Sequence, residues 1–204
     1  MTTTVESNSS APHSAREKLL TAAVELFRTN GYDATSLDDI CRSAGVTKGA
    51  LFHHFAGKQA IAAACLEAWS ETMANMVATA PFNELEDPVE RVLGWIDFFS
   101  GALSRPETIK SCLAGTIVQE VSESNPALRD AAHGCIANGE RRFQTLLDEA
   151  CADRERQLDT ASLARLWSAS LQGSLLLYKA TRDPAVFADS LGHVYRYIES
   201  LFSE

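Results

Sequence analysis

A glycine between two short, capped helices constrains this chain more than any other feature. Ser36 is followed three residues later by Asp39, the spacing of a capping box, and Leu37, Ile40, Cys41 and Ala44 recur at helical spacing. Gly45 stops that helix, since glycine enters the left-handed conformation of a helix end without steric cost, and Val46 is the apolar residue that pins the turn. Thr47 caps a second short helix running to about Phe55. It turns Leu51 and Phe55 inward and leaves Lys48, Gly49, Ala50, His53 and His54 outside. Two short helices joined in this way form a helix-turn-helix, whose second helix can lie in the DNA major groove with its N-terminal residues against base edges.

The preceding segment supplies the partner these helices need. Ser14 and Glu17 make another capping box, and Leu20, Val24 and Phe27 follow on one helical face with Leu19, Ala23 and Leu26 beside them, up to Gly31. That face packs against Leu37, Ile40, Leu51 and Phe55 as a three-helix core, which explains the inward residues and leaves the outward ones without a structural task. Lys48 is the candidate for a base-edge contact, because a cation donates to guanine O6 and N7. Lys58 stands where a third helix begins, a place where a cation opposes the helix dipole unless an anion such as a DNA phosphate is near. Thr35, Ser36 and Thr47 are caps first and phosphate ligands second, and capping alone would account for them. Gly49 and Ala50 are small enough for close approach. His53 and His54 point in different directions on a helix and have no third ligand at a suitable spacing, so no metal is expected.

Taken together, ELFRTNGYDATSLDDICRSAGVTKGALFHHFAGKQAI, within Arg16 to about Trp69, resembles the DNA-binding domain of the tetracycline-repressor (TetR) family of bacterial regulators. The resemblance implies an all-α protein with His53 at the groove surface and His54 near the backbone. Phe52 departs from the tyrosine usual in the family, which removes a hydroxyl that would reach a phosphate, and Gly57 replaces the usual serine cap. The implied division is a disordered tail over 1–13, which has no Arg or Lys, a DNA-binding domain over 14–62 and a helical effector-binding and dimerisation domain over 63–204.

Charge is unevenly spread between these parts. Residues 1–62 hold 6 Lys+Arg and 6 Asp+Glu, leaving 12 and 21 for residues 63–204, so the net charge of -9 belongs to the second part. Acidity kept away from the reading head limits non-specific DNA binding. The longest apolar runs, such as residues 60–66, are far shorter than the roughly 20 residues of a membrane span. Five cysteines, odd in number and without a CxxC pair, fit reduced thiols in the cytoplasm.

From Lys58 to about Thr79 neither Gly nor Pro occurs, which predicts a helix of roughly 33 Å reaching from the DNA into the second domain. The next helix, Val89 to Leu103, carries Trp95, Phe98 and Phe99. With Cys112, Thr116, Phe143, Trp167 and Leu171 these outline an apolar effector pocket, although core packing alone would also use such residues. Arg105 and Pro106 break the chain, and the stretch that follows is similar to a TetR subgroup typified by the N-ethylmaleimide reductase repressor, which senses electrophiles through a cysteine. Cys112 lies at the matching position. Electrophile sensing there needs a thiolate, favoured by Lys110 and the helix that starts beside it; an inert buried thiol is the other reading.

The last two helices, Thr160 to Thr181 and Pro184 to Phe202, present Leu163, Ser170, Ser174 and Leu177, then Leu191, Val194, Tyr195 and Ile198. By the family resemblance these faces pair with their copies in a two-fold homodimer. No nucleophile elbow, phosphate-binding loop or HExxH motif is present, so neither enzyme activity nor a cofactor is expected. The resulting expectation is a cytoplasmic homodimeric repressor, released from a pseudo-palindromic double-stranded DNA operator by a small-molecule or electrophile effector or by modification of Cys112; activator behaviour is not visible in a sequence. The alternative is an all-helical small-molecule carrier or interaction protein without sequence-specific DNA binding.

Overall fold

The computed structural model describes residues 14–103 and 110–203; the expected tail over 1–13 and the break at Arg105 and Pro106 lie outside them. Among the described residues the chain is all-α, as the sequence implied. The order is α1 (Ala15–Asn30), α2 (Leu37–Ala44), α3 (Lys48–His54), α4 (Lys58–Ala78), a 3-10 turn (Pro81–Glu84), α5 (Pro88–Leu103), α6 (Leu113–Val121), α7 (Pro126–Asp153), α8 (Thr160–Thr181) and α9 (Ala185–Phe202).

Each early boundary has a local cause. The Ser14 hydroxyl accepts the Glu17 N–H at 3.2 Å while the Glu17 carboxylate accepts the Ser14 N–H at 2.8 Å, closing the box that starts α1. Ser36 and Asp39 repeat the arrangement at α2, with both bonds at 3.1 Å. Gly45 takes φ 64, and the Val46 N–H turns back to the Cys41 carbonyl at 3.0 Å, satisfying a carbonyl that the end of α2 would leave bare. The Thr47 hydroxyl then accepts the Ala50 N–H at 3.2 Å and α3 begins.

Two apolar clusters form. One fills the space between α5, α7, α8 and α9 around Trp95, Phe143, Trp167, Phe187, Leu191 and Ile198. The other contains the three-helix head, with Leu19, Phe27, Ile40, Leu51 and Ile61 fully buried, and continues through Leu113 and Ile117 of α6 and Leu128 of α7. On α1 the register is rotated slightly from that read in the sequence, since Leu19, Ala22, Ala23 and Phe27 are buried while Leu20, Val24 and Leu26 are half-buried. The reason is that α6, invisible from local spacing, covers the flank of α1 that would otherwise face water.

Candidate DNA-reading surface and effector cavity

At the tip of the head, α3 projects Lys48, Gly49, Phe52, His53 and His54 into solvent. Phe52 is 50% exposed, a large aromatic with no packing task in the chain. A methyl or methylene carried on Gly49 would meet nothing within 4 Å, so the helix is smooth there. Lys48 forms an exposed ion pair with Asp38 at 2.8 Å, and that carboxylate, by hydrogen bond and by charge, raises the lysine pKa. A pair this exposed is screened by water and contributes little, so exchanging Asp38 for a base edge or phosphate costs little.

Like Lys48 and the capping Thr47, the expected DNA ligands Thr35, Ser36 and Lys58 are already engaged. Thr35 is buried and its hydroxyl donates to the Gly31 carbonyl at 2.7 Å, which removes its side chain from the set; the tight Gly31–Thr35 loop folds it inward. The Ser36 hydroxyl is held by Asp39, while remaining at the exposed start of α2. Lys58 donates to the Asp33 carbonyl at 3.1 Å with its Nζ 4.3 Å from the centre of the Tyr32 ring. The dipole problem of a lysine opening a helix is thus answered within the protein, and its other two N–H groups stay available.

The head is tied to the rest of the chain through α6. Arg28 Nε donates to the Ser111 carbonyl at 2.7 Å, and the Ser111 hydroxyl donates back to the Arg28 carbonyl at 2.6 Å. Asp33 N–H donates to the Glu120 carboxylate at 2.6 Å, and Lys110 pairs with Glu25. Gly31, at φ 97, is where Glu120 comes closest: a Cβ there would lie 2.4 Å from its carboxylate oxygen.

Behind this junction a cavity of about 360 Å³ opens between α4, α5, α7, α8 and the start of α6. Of the residues expected to form it, Trp95, Phe99, Cys112, Trp167 and Leu171 line it. Phe143 does not: it is fully buried behind the wall, 5.4 Å from Trp95 and 5.6 Å from Trp167 between ring centres. Phe98 is turned away against Phe82, and Thr116 is buried at a smaller neighbouring cavity with its hydroxyl donating to Ser111 Oγ. Helical spacing assigns residues to a face but does not separate the inner layer of an aromatic cluster from the layer behind it.

Residues the sequence reading missed complete the lining, chiefly Arg28 from α1 and Trp69 and Met73 from α4. Trp69 and Met73 stand at i, i+4 on α4, the spacing of one helical face. Nothing local marks Arg28, because its place depends on the crossing of α1 and α6. Burial lowers the Arg28 pKa, while Cys112 and then Glu25 act in the opposite direction. Cys112 is half-buried, with its sulfur accepting the Gly115 N–H at 3.5 Å in the first turn of α6. Lys110, expected to serve that thiol, is answered by Glu25, and Arg28 is the cation that senses it.

The dimer faces are also rearranged. Leu163, Ser174, Leu191, Val194 and Ile198 are buried in the chain's own core, so their side chains are not available to a partner, and Tyr195 is half-buried. The reason is that α8 and α9 pack on each other and on α5 and α7, which consumes their more apolar sides. The large apolar residues left exposed on α8 are Leu166, Leu176 and Leu177; Ser170 and Gly173, half-buried, share a face with Leu166 and Leu177 at i, i+4, i+7 and i+11, and Tyr197 is exposed on α9.

This arrangement matches known proteins along its length. The family model described as bacterial regulatory proteins, tetR family, matches residues 19–65, and that of the tetracyclin repressor-like C-terminal domain matches residues 88–194. The chain belongs to the TetR family. Among TetR relatives, the HTH-type transcriptional regulator LmrA of Bacillus subtilis (strain 168) is 27% identical over 80% of this chain and 85% of its own. The HTH-type transcriptional repressor NemR of Escherichia coli (strain K12) is 25% identical over 94% of this chain and 97% of its own. A crystal structure of the regulatory protein TetR from Rhodobacter sphaeroides superposes with a TM-score of 0.79 at 25% identity, covering 89% of this chain and 97% of that one. The head is therefore a TetR-type DNA-binding domain, and among the described residues no helix is long and apolar enough to cross a membrane.

The thiols of this TetR-family chain divide by environment. Burial pushes Cys65 up to about 12 and Cys135 up to about 11, and raises Cys41 and Cys151 as well. A raised thiol pKa means less thiolate at a given pH, and only thiolate is alkylated. Iodoacetamide at about pH 8 should therefore leave Cys65 and Cys135 unmodified in the folded protein and label both after unfolding, read by peptide mass mapping. Fast labelling of Cys65 in the folded state would contradict its placement.

Proposed function

We propose that this chain is a cytoplasmic homodimeric transcriptional repressor. Its two heads occupy half-sites of a pseudo-palindromic operator, and a small molecule in the cavity, or modification of Cys112, releases it. The observation that carries this reading is the outer face of α3, where Lys48, Phe52, His53 and His54 stand exposed on a rigid head without any packing role. Lys48 would donate to a base edge, and Phe52 would offer its ring to a thymine methyl in place of a hydroxyl to a phosphate. Thr47, the N–H of Gly49, both histidines, Lys58 and the exposed Ser36 would take the backbone, with Ala50 small enough for close approach. Membership of a family of regulators favours this over a carrier.

Two heads reach successive major grooves only at about 34 Å or a multiple of it, so a partner copy is required. The face carrying the exposed Leu166 and Leu177 with the half-buried Ser170 and Gly173 between them, together with Tyr197, is the surface assigned to it. Substituting Gly173 meets open space, which is where a second helix would approach.

Fluorescence anisotropy with duplexes from the DNA flanking its own coding region tests the reading. Lys48→Ala should weaken the selective complex by about 1–3 kcal/mol, roughly 5- to 150-fold. Binding without sequence selection and indifferent to that change would leave the carrier instead. Leu166→Asp with Leu177→Asp should convert the dimer to a monomer by light scattering and lower operator affinity at least tenfold; an unchanged dimer places the interface elsewhere. N-ethylmaleimide should release the wild-type chain and leave Cys112→Ser bound, whereas equal release would remove the thiol route.

A further inference from the structure

The cavity carries a charge opposite to that of the domain around it. Residues 63–204 hold 21 Asp+Glu against 12 Lys+Arg, yet among the described residues the ionisable side chains on the cavity wall are Arg28, Lys110 and Arg142 against Glu140, with Cys112 and Cys135 as its thiols. Lys110 is matched by Glu25, which lies outside the lining. Arg28 is different. Its Nε is fixed on the Ser111 carbonyl at 2.7 Å and its guanidinium lies 4.6 Å from the centre of the Trp69 ring. Its two terminal amino groups make no hydrogen bond to any described residue. Burial has stripped water from this cation, as the lowered pKa reflects, and Glu25 is the weakest of the influences on it. A guanidinium held flat by one nitrogen, with the opposite fork open, is pre-set for a planar anion taken through two parallel N–H bonds.

The remaining wall is flat and apolar, with Trp69, Trp95, Phe99 and Trp167 around a space of about 360 Å³. That size lies at the small end of the roughly 300–1,000 Å³ usual for ligand sites. We infer that the cavity binds a small aromatic carboxylate, its ring among the tryptophans and its carboxylate on the terminal amino groups of Arg28. This rests on the cavity being the effector site. It makes Arg28 both a ligand-binding residue and, through Ser111, a residue of α1 that couples occupancy to the start of α6.

The test uses 2-naphthoate and its uncharged isostere 2-naphthamide, with affinities for the full chain measured by calorimetry and by quenching of tryptophan fluorescence, in the absence of DNA. The acid should bind at least tenfold more tightly than the amide. Arg28→Gln should bring the acid to the level of the amide and leave the amide unchanged, and Arg28→Lys, which keeps the charge without the fork, should fall between. Equal affinities for acid and amide, binding of neither, or an acid preference that survives Arg28→Gln would overturn the inference. Should Arg28→Gln lose its helical circular dichroism, the wild-type ratio and Arg28→Lys decide. Operator anisotropy in the presence of 2-naphthoate is read separately: acid binding that leaves operator affinity unchanged removes the effector role and not the ligand class. A chain that ignores DNA altogether removes the repressor reading without altering the acid-to-amide ratio.

Discussion

The burial of α6 against α1 is the contact on which the rest of this structure depends. Leu113, Ala114, Ile117 and Val121 put one face of a nine-residue helix into the same apolar cluster as Leu19, Phe27 and Ile61. A three-helix head of this size has little interior of its own, and small domains bury too small a fraction of their surface to be more than marginally stable. Extending its core through α6 and α7 makes the orientation of the head a property of the whole chain. It also means that α6 cannot move while α1 stays in place, because close-packed interiors shift between discrete arrangements and do not deform continuously.

The polar contacts at that seam set the scale on which a ligand can act. A hundredfold change in operator affinity corresponds to about 2.7 kcal/mol, and one hydrogen bond to a charged group contributes about 1.5–3 kcal/mol. A single contact made to Arg28 in one arrangement and not in the other is therefore large enough, with no need for the ligand to reorganise the domain. Equal affinity for both arrangements would shift nothing, however tight the binding. In the proposed mechanism the reciprocal bonds between Arg28 and Ser111 would put that difference at the junction itself, a shorter route than leverage along the 21 residues of α4.

Local chemistry was legible in the sequence and tertiary layering was not. The caps at Ser14, Ser36 and Thr47 and the stop at Gly45 depend on residues within four positions of one another, and each forms as its spacing implied. The limits of α8 and the solvated turn before it follow from the same kind of signal. Burial of Thr35, the second-layer position of Phe143 and the loss of Leu191 and Ile198 to the chain's own core depend on contacts between distant segments, which periodicity does not encode. Arg28 is the clearest case. A polar residue late in an amphipathic helix reads as solvent-facing until another helix is laid across it.

The loop from Gly31 to Thr35 shows how these levels meet. Its first residue adopts a left-handed φ where the Glu120 carboxylate comes too close for a side chain, and the same carboxylate holds the Asp33 N–H. The Asp33 carbonyl receives Lys58 from the start of α4, while the Thr35 hydroxyl closes the loop back on Gly31. Five residues thus bring α1, α2, α4 and α6 together, each bond pairing a backbone group of the loop with a side chain. In the proposed regulator, a displacement of α6 would reach the caps that position α2 and α3 through these bonds, and a contact made at Arg28 would in that way bear on where Lys48 and Phe52 point.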